Sequence, residues 1–225
     1  MQAGTLAFGA LTDWTNPNSW ANYWRSQRMV LFDRLIEPLP RPVKILDIGG
    51  TAAFWHMRGW TDRPDVQIVT INLSAEQKQY ANVEPRSGDA TSLWNIADKS
   101  FDVAFSNSVI EHVGSLEKQA AMASEVQRVA SAHWVQTPNY WFPIEPHFHV
   151  PGWQWLPKQA RIALIQRTAC GWNGRCRDPV MAKAVVEDVR LMTRRELARL
   201  FPNSVLHAER LGGLVKSWVA YGGFA

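Results

Sequence analysis

The run Val43-Lys44-Ile45-Leu46-Asp47-Ile48 is short and almost wholly apolar, and it stops at Gly49-Gly50-Thr51. No other feature limits the fold as strongly. Its length, its β-branched content and its glycine boundary mark a strand buried on both faces, which requires a parallel sheet covered by helices. A strand that ends in a glycine-rich loop ahead of a helix also lets backbone approach a ligand closely. Val66 to Ile71, Phe101 to Phe105 and His133 to Gln136 are further β-rich runs, and a weaker one lies near Asn82 to Glu84. Helical patterns fall between them. Leu73 to Tyr80 offers Ser74 as N-cap and Glu76 in the first turn. Ser115 to Val129 carries Leu116, Ala120, Met122, Ala123, Val126 and Val129 at helical spacing. Strands alternating with helices predict a doubly wound α/β sheet.

The end of the chain follows another pattern. Arg194 to Phe201 reads as a helix stopped at Pro202, and Val205 to Arg210 and Leu214 to Ala220 read as strands joined by Gly212-Gly213, a hairpin signal. The 225 residues suit a single domain, 1–225, with two additions to the sheet. Residues 12–39 hold an amphipathic helix through Trp20, Tyr23, Trp24, Met29 and Phe32, expected as a lid, and residues 137–192 form an insertion after the fifth strand.

Composition narrows the function classes. The net charge of +4 comes without any block of five basic residues, so a phosphate-tracking surface, and with it a nucleic-acid partner, is disfavoured. No stretch approaches the 18 apolar residues of a membrane span, and no Lys or Arg precedes an apolar run near the N-terminus as in a secretory signal. Cys170 and Cys176, the only cysteines, read as free thiols in a reducing, cytoplasmic setting. The 12 tryptophans fit either the core or the walls of a pocket for a flat or sugar-like ligand.

Two cofactor chemistries share a strand and glycine loop. A dinucleotide pyrophosphate wants G-x-G-x-x-G at a helix N-terminus, whereas S-adenosylmethionine (SAM) carries an amine and a sulfonium, both positive. Asp47 stands just before Gly49 and no third glycine follows at dinucleotide spacing, which suits SAM. With these residues in view, the chain resembles the class I SAM-dependent methyltransferases from about Val43 to Tyr221, and within them a type-11-like bacterial small-molecule or glycan subgroup. The resemblance implies a Rossmann-like doubly wound sheet of about seven strands, mostly parallel, closing in an antiparallel β-hairpin whose last strand inserts between its predecessors. It places Asp47, Gly49 and Gly50 on the methionine part of SAM, although Thr51 and Ala53 stand where the family often has glycine. Asn72 occupies the ribose-binding position usually held by Asp or Glu, with Leu73 beside it. Gly88-Asp89-Ala90 resembles the adenine clasp, and Ser100 to Val113, including Asn107, resembles the fourth-strand motif.

Methyl transfer to a hydroxyl needs a place for the proton, and ligands in such sheets bind beyond the carboxyl ends of the strands. Glu111-His112 is one candidate. Ubiquinone-type O-methyltransferases resemble this segment, but Ser108 replaces the acidic residue that completes their metal site, so no metal is expected here. Trp141 to Pro151 is the other candidate: in an extended backbone Glu145, His147 and His149 point to one side, as a base with its orienting carboxylate or as a metal-binding trio. The expected catalytic residues are His147, Glu145 and His112, with a divalent metal possible but not favoured. Trp14, Trp20, Trp24, Trp141, Trp153 and Trp155 are candidates for a lid and wall around the acceptor. The expected reaction is O-methylation of a small-molecule or saccharide acceptor. N-methylation of an amine and non-catalytic SAM binding are the alternatives.

Overall fold

A computed structural model describes residues 20–171 and 174–224, with side chains from Ser26 onward. Trp14, the first part of the expected lid, and Trp172 lie outside the described residues, as do the side chains of Trp20, Tyr23 and Trp24.

One sheet of seven strands organises the fold: β1 (Val43–Ile48), β2 (Val66–Asn72), β3 (Val83–Ser87), β4 (Phe101–Asn107), β5 (Ala130–Pro138), β6 (Val205–Leu211) and β7 (Leu214–Gly222), in the order β3-β2-β1-β4-β5-β7-β6. The first five strands are parallel. The hairpin β6–β7 runs antiparallel, and β7 inserts between β5 and β6 as expected. Gly212 and Gly213 both take positive φ, +56° and +82°, the geometry a two-residue turn needs to match strand twist. Order reverses between β1 and β4, so the carboxyl ends of these two strands flank the natural ligand crevice.

Apolar residues on both faces of the sheet are covered. Helix α1 (Trp20–Ile36) lays Met29, Phe32 and Ile36 on one face, where Phe32 meets Phe105 and Trp134 edge-on at 5.0 and 5.4 Å between ring centroids. The helix covers the sheet through its second half. On the same face α2 (Ala52–Met57) starts at Thr51, whose Oγ1 accepts from Phe54 N, and buries Trp55. The other face holds α3 (Leu116–Val129), capped by Ser115, and α6 (Arg194–Leu200), begun by a reciprocal Thr193/Glu196 capping box. In the insertion, α4 (Lys158–Arg167) and α5 (Pro179–Glu187) build a small core of their own from Phe148, Trp153, Ile165, Cys170, Ala182 and Val186. Cys170 and Cys176 are free thiols.

One expected element is missing. Leu73 to Tyr80 forms no helix. Leu73 is 84% exposed, and apart from Ala75 and Tyr80 the segment is polar, so a helix there would have no continuous apolar face to bury, and a segment this short is not stable without one. Glu76 acts elsewhere: its carboxylate accepts from Ala52 N at the start of α2. The weak strand near Asn82 is present but longer, as edge strand β3. An edge tolerates Pro85, which has no N–H to give a neighbour.

Candidate functional site

The loop after β1 is built around a buried carboxyl. Asp47 is 1% exposed, and its Oδ2 accepts from Trp55 Nε1 at 2.6 Å. Its Oδ1 is buried with no hydrogen-bond partner. Burial pushes this carboxyl up to about 7, the Trp55 hydrogen bond opposing and the negative charge of Glu76 adding. Gly50 passes directly over it: a Cβ there would sit 1.7 Å from Asp47 Oδ2. Gly49 has φ +80°, and a Cβ on it would stand 2.4 Å from a Val109 methyl on the loop after β4. Both glycines are thus dictated by close approach. An acidic group that lacks a partner under a thin backbone loop fits a cationic ligand, which an amine-bearing and sulfonium-bearing cofactor provides.

Asn72, at the end of β2, donates its amide to Gly50 O at 2.8 Å and so ties β2 to that loop. Leu73 stands exposed next to it. Beyond β3, Asp89 Oδ1 accepts from Thr91 N at 2.8 Å and Thr91 Oγ1 at 2.7 Å, which fixes the turn carrying Ala90 and lowers the carboxyl pKa. Asn107, at the end of β4, accepts from the Arg28 guanidinium of α1. Arg28 also holds Glu209 of β6 in a bidentate pair at 2.8 and 2.7 Å. Although burial opposes it, the charge and hydrogen bonds of Arg28, with Lys216 and Ser217, hold Glu209 down at about 2. The residues expected to bind the cofactor therefore all lie at the carboxyl edge of the sheet, on the last residues of β1, β2 and β4 or on the loops that follow β1, β2 and β3.

The expected acceptor-side residues come together, though by another route than the extended loop. Residues 145–149 coil into a turn: His149 N donates to Glu145 O at 2.9 Å, and His149 has φ +54°. The Glu145 carboxylate, 1% exposed, drives the turn by accepting from His147 N and Phe148 N, each at 2.7 Å, and from His147 Nδ1 at 2.5 Å. His149 is turned out of register with His147 and is not among the clustered groups. His112 supplies the second imidazole in its place. The Nε2 atoms of His112 and His147 face each other at 3.0 Å, and His112 Nδ1 lies 3.1 Å from Asp188 Oδ2. Glu111 is wholly buried with Oε2 accepting from Thr137 Oγ1 at 3.0 Å, while Oε1 has no partner. The ligand-capable atoms of Glu111, His112 and His147 all lie within 4.8 Å of one another. Burial raises Glu111, against the pull of both histidines. Burial alone would lower His147, but the hydrogen bond and charge of Glu145 outweigh it and raise the imidazole.

Sequence reasoning named Glu111 only within the pair Glu111-His112, without a role of its own, and it missed Asp188 and Arg28. Asp188 sits at the end of α5, 76 residues from its partner, with no local signal, whereas Glu111 was visible only as the neighbour of His112. Among the tryptophans, Trp153 is core, stacked on Phe148 at 4.0 Å. Trp141 and Trp155 are 63% and 48% exposed with ring centroids 6.5 Å apart. A cavity of about 350 Å³ adjoins Glu145, lined by Tyr140, Gln154, Arg161 and Arg190 among others. No described helix is long and apolar enough to cross a membrane.

Comparison with known proteins bears on the family and the fold. Residues 46–133 match the family model described as a methyltransferase domain. Two uncharacterized proteins of Mycobacterium tuberculosis, Rv1509 and MT1557, are 41% identical over 56 residues, 25% of this chain. The matched segment spans only about a fifth (19%) of the length of those relatives. Among solved structures, the CurJ carbon methyltransferase aligns over 97% of this chain and 58% of its own, at 12% identity and a TM-score of 0.56. A protein described as a Zn-dependent alcohol dehydrogenase of Rhodobacter sphaeroides aligns over 84% and 87%, at 9% identity and a TM-score of 0.54. At such identities the likeness is one of fold alone.

Proposed function

We propose that this chain, a class I SAM-dependent methyltransferase by family and fold, methylates a hydroxyl group on a small-molecule or saccharide acceptor. SAM supplies a methyl already activated by its sulfonium, so the protein's tasks are alignment and disposal of one proton. Asp47 and the Gly49-Gly50 loop hold the methionine end, with the buried carboxyl as counter-charge. Asn72 offers Oδ1 to the ribose while its amide is occupied by Gly50 O. Leu73 lies along the adenine, whose edge meets the Asp89 carboxylate and the Ala90 N–H. Asn107, set by Arg28, marks the reacting end of the crevice.

The observation that carries the hydroxyl reading is the His112–His147 pair beyond the ends of β4 and β5, each imidazole oriented by its own carboxylate. An imidazole whose Nδ1–H is held by a carboxylate presents Nε2 as a lone pair, the form that receives a hydroxyl. The exposed Trp141 and Trp155 nearby give apolar faces suited to a sugar or aromatic ring. The test is titration of the chain with SAM and S-adenosylhomocysteine, followed by a hydroxyl-bearing acceptor panel read by S-adenosylhomocysteine release. His147→Ala should cut turnover about 10²–10⁴-fold with SAM affinity intact, and His112→Ala should also impair it. Turnover within about threefold of wild type in both variants would remove the pair from the reaction.

A further inference from the structure

The two carboxylates that orient the histidine pair gather three electron donors around one point. Glu145 takes the Nδ1 proton of His147 and Asp188 that of His112, so both Nε2 atoms turn lone pairs toward the same point, 3.0 Å apart. Glu111 Oε1 completes the ring of electron donors: it belongs to a fully buried side chain, lacks any partner, and lies within 4.8 Å of both nitrogens. A divalent cation placed among them satisfies all three donors at once. Two nitrogens each about 2.1 Å from one ion, at right angles, lie about 3.0 Å apart, so the present spacing needs little adjustment. Histidines backed by carboxylates at the far nitrogen are the usual outer support of metal ligands.

We propose that Glu111, His112 and His147 bind one divalent first-row transition-metal ion. Two imidazoles and one carboxylate favour Zn²⁺, Fe²⁺, Co²⁺ or Ni²⁺ over Mg²⁺ and Ca²⁺, which prefer all-oxygen sites. Three protein ligands leave positions open at the acceptor side. Its catalytic use rests on the hydroxyl-transfer reading above; the binding itself does not. With the ion bound, both Nε2 lone pairs serve as its ligands and the ion takes over their part in handling the proton: an acceptor hydroxyl bound to it would release its proton to solvent. The oxygen then forms the new O–C bond as the S–C bond breaks, and S-adenosylhomocysteine leaves as a neutral thioether. The absence of an acidic residue at Ser108, which argues against a metal when the fourth-strand motif is taken alone, is made good by His147 from the loop after β5.

The test uses the full chain, stripped with a chelator and titrated with Co²⁺, Zn²⁺ and Mg²⁺. One Co²⁺ per chain should bind and give visible ligand-field bands, displaced by Zn²⁺ and not by Mg²⁺. The bands should vanish in His112→Ala and His147→Ala. Asp188→Asn touches only an exposed residue and should leave melting unchanged while weakening Co²⁺ about 10–100-fold. Sub-stoichiometric Co²⁺ binding, or bands and affinity unchanged in both the histidine variants and Asp188→Asn, overturns the site. SAM titration of the same stripped protein separates the two readings. SAM bound without any Co²⁺ uptake defeats the metal site and leaves the methyltransferase reading standing. Co²⁺ bound without SAM affinity supports the metal site and defeats the methyltransferase reading.

Discussion

SAM affinity should rise steeply with pH up to about 7, because the cofactor's positive end meets a carboxyl that the fold keeps protonated. Asp47 sits under Gly50 with one oxygen held by Trp55 and the other without a partner, and burial raises it from 3.8 to about 7. The sign follows from linkage. A raised acid keeps its proton longer in the folded chain, so its favourable contribution is complete below about 3.8 and is lost as pH rises through about 7. A shift of this size corresponds to about 4 kcal/mol of differential interaction in the cofactor-free chain. A bound ammonium and sulfonium reverse the preference and favour the ionised form, so binding below pH 7 must expel a proton. The apparent Kd should therefore weaken about tenfold per pH unit below 7, reaching about 100-fold at pH 5, and level off above 7.

The assay is calorimetry of SAM binding from pH 5 to 8, repeated at pH 6 in buffers of different ionisation enthalpy to count the proton released. Asp47→Asn keeps the shape and the Trp55 hydrogen bond but cannot ionise, and it should give a weak, nearly flat profile. A flat profile in the wild type, or the same slope in Asp47→Asn, would refute the placement of the cofactor's charge beside Asp47.

Other expectations follow from single contacts. Gly50→Ala must move either the loop or the Asp47 carboxyl, at a cost of about 1–3 kcal/mol by urea unfolding and with loss of SAM binding. Asp89→Ala should weaken SAM by about 1–3 kcal/mol in a chain that still melts near the wild-type temperature. Asn72→Asp sets a charged acceptor for the ribose against a carboxylate facing Gly50 O where an amide now donates. The lost donor should prevail, so calorimetry should show weaker binding, and tighter binding would mean that the loop moves to accommodate it. Arg28→Ala takes the bidentate partner from buried Glu209, leaves it Lys216 and Ser217, and should destabilise the fold by up to about 3 kcal/mol. Since Glu209 is depressed to about 2, the stability this pair contributes is present above about 4.5 and disappears as pH falls toward 2, measurable as melting temperature against pH.

The sheet was readable because its signals are local. Each parallel strand is a short apolar run with its own punctuation, and the hairpin is marked by two adjacent glycines that the turn geometry demands. Residues 73–80 misled for the complementary reason: N-cap chemistry and a first-turn acid are local too, but a helix survives only by burying a face, and the exposed Leu73 with the isolated Ala75 and Tyr80 makes none. The cofactor edge shows the same boundary. Asp47, Gly49 and Gly50 stand together in sequence, whereas the amide bond from Asn72 to Gly50 O and the carboxylate of Glu76 on Ala52 N cross 22 and 24 residues.

The acceptor side depends on such crossings throughout. His112 arrives on the loop after β4, His147 on the loop after β5, and Asp188 at the far end of the insertion, where α4 and α5 pack on a core separate from the sheet. Sequence pattern placed Glu145, His147 and His149 on one side of an extended loop. The Glu145 carboxylate instead collects the N–H groups of His147 and Phe148, and that bond pattern coils the chain and turns His149 away. The same carboxylate therefore shapes the loop and sets the tautomer of the imidazole it delivers. This double role explains why Glu145 is buried so completely while His147 keeps one face toward the crevice. It also means that Glu145→Gln, whose amide oxygen can still accept from His147 N and Phe148 N while its NH₂ faces His147 Nδ1, keeps the turn but removes both the charge and the acceptor for Nδ1–H, and so separates the loop's shape from the imidazole's tautomer.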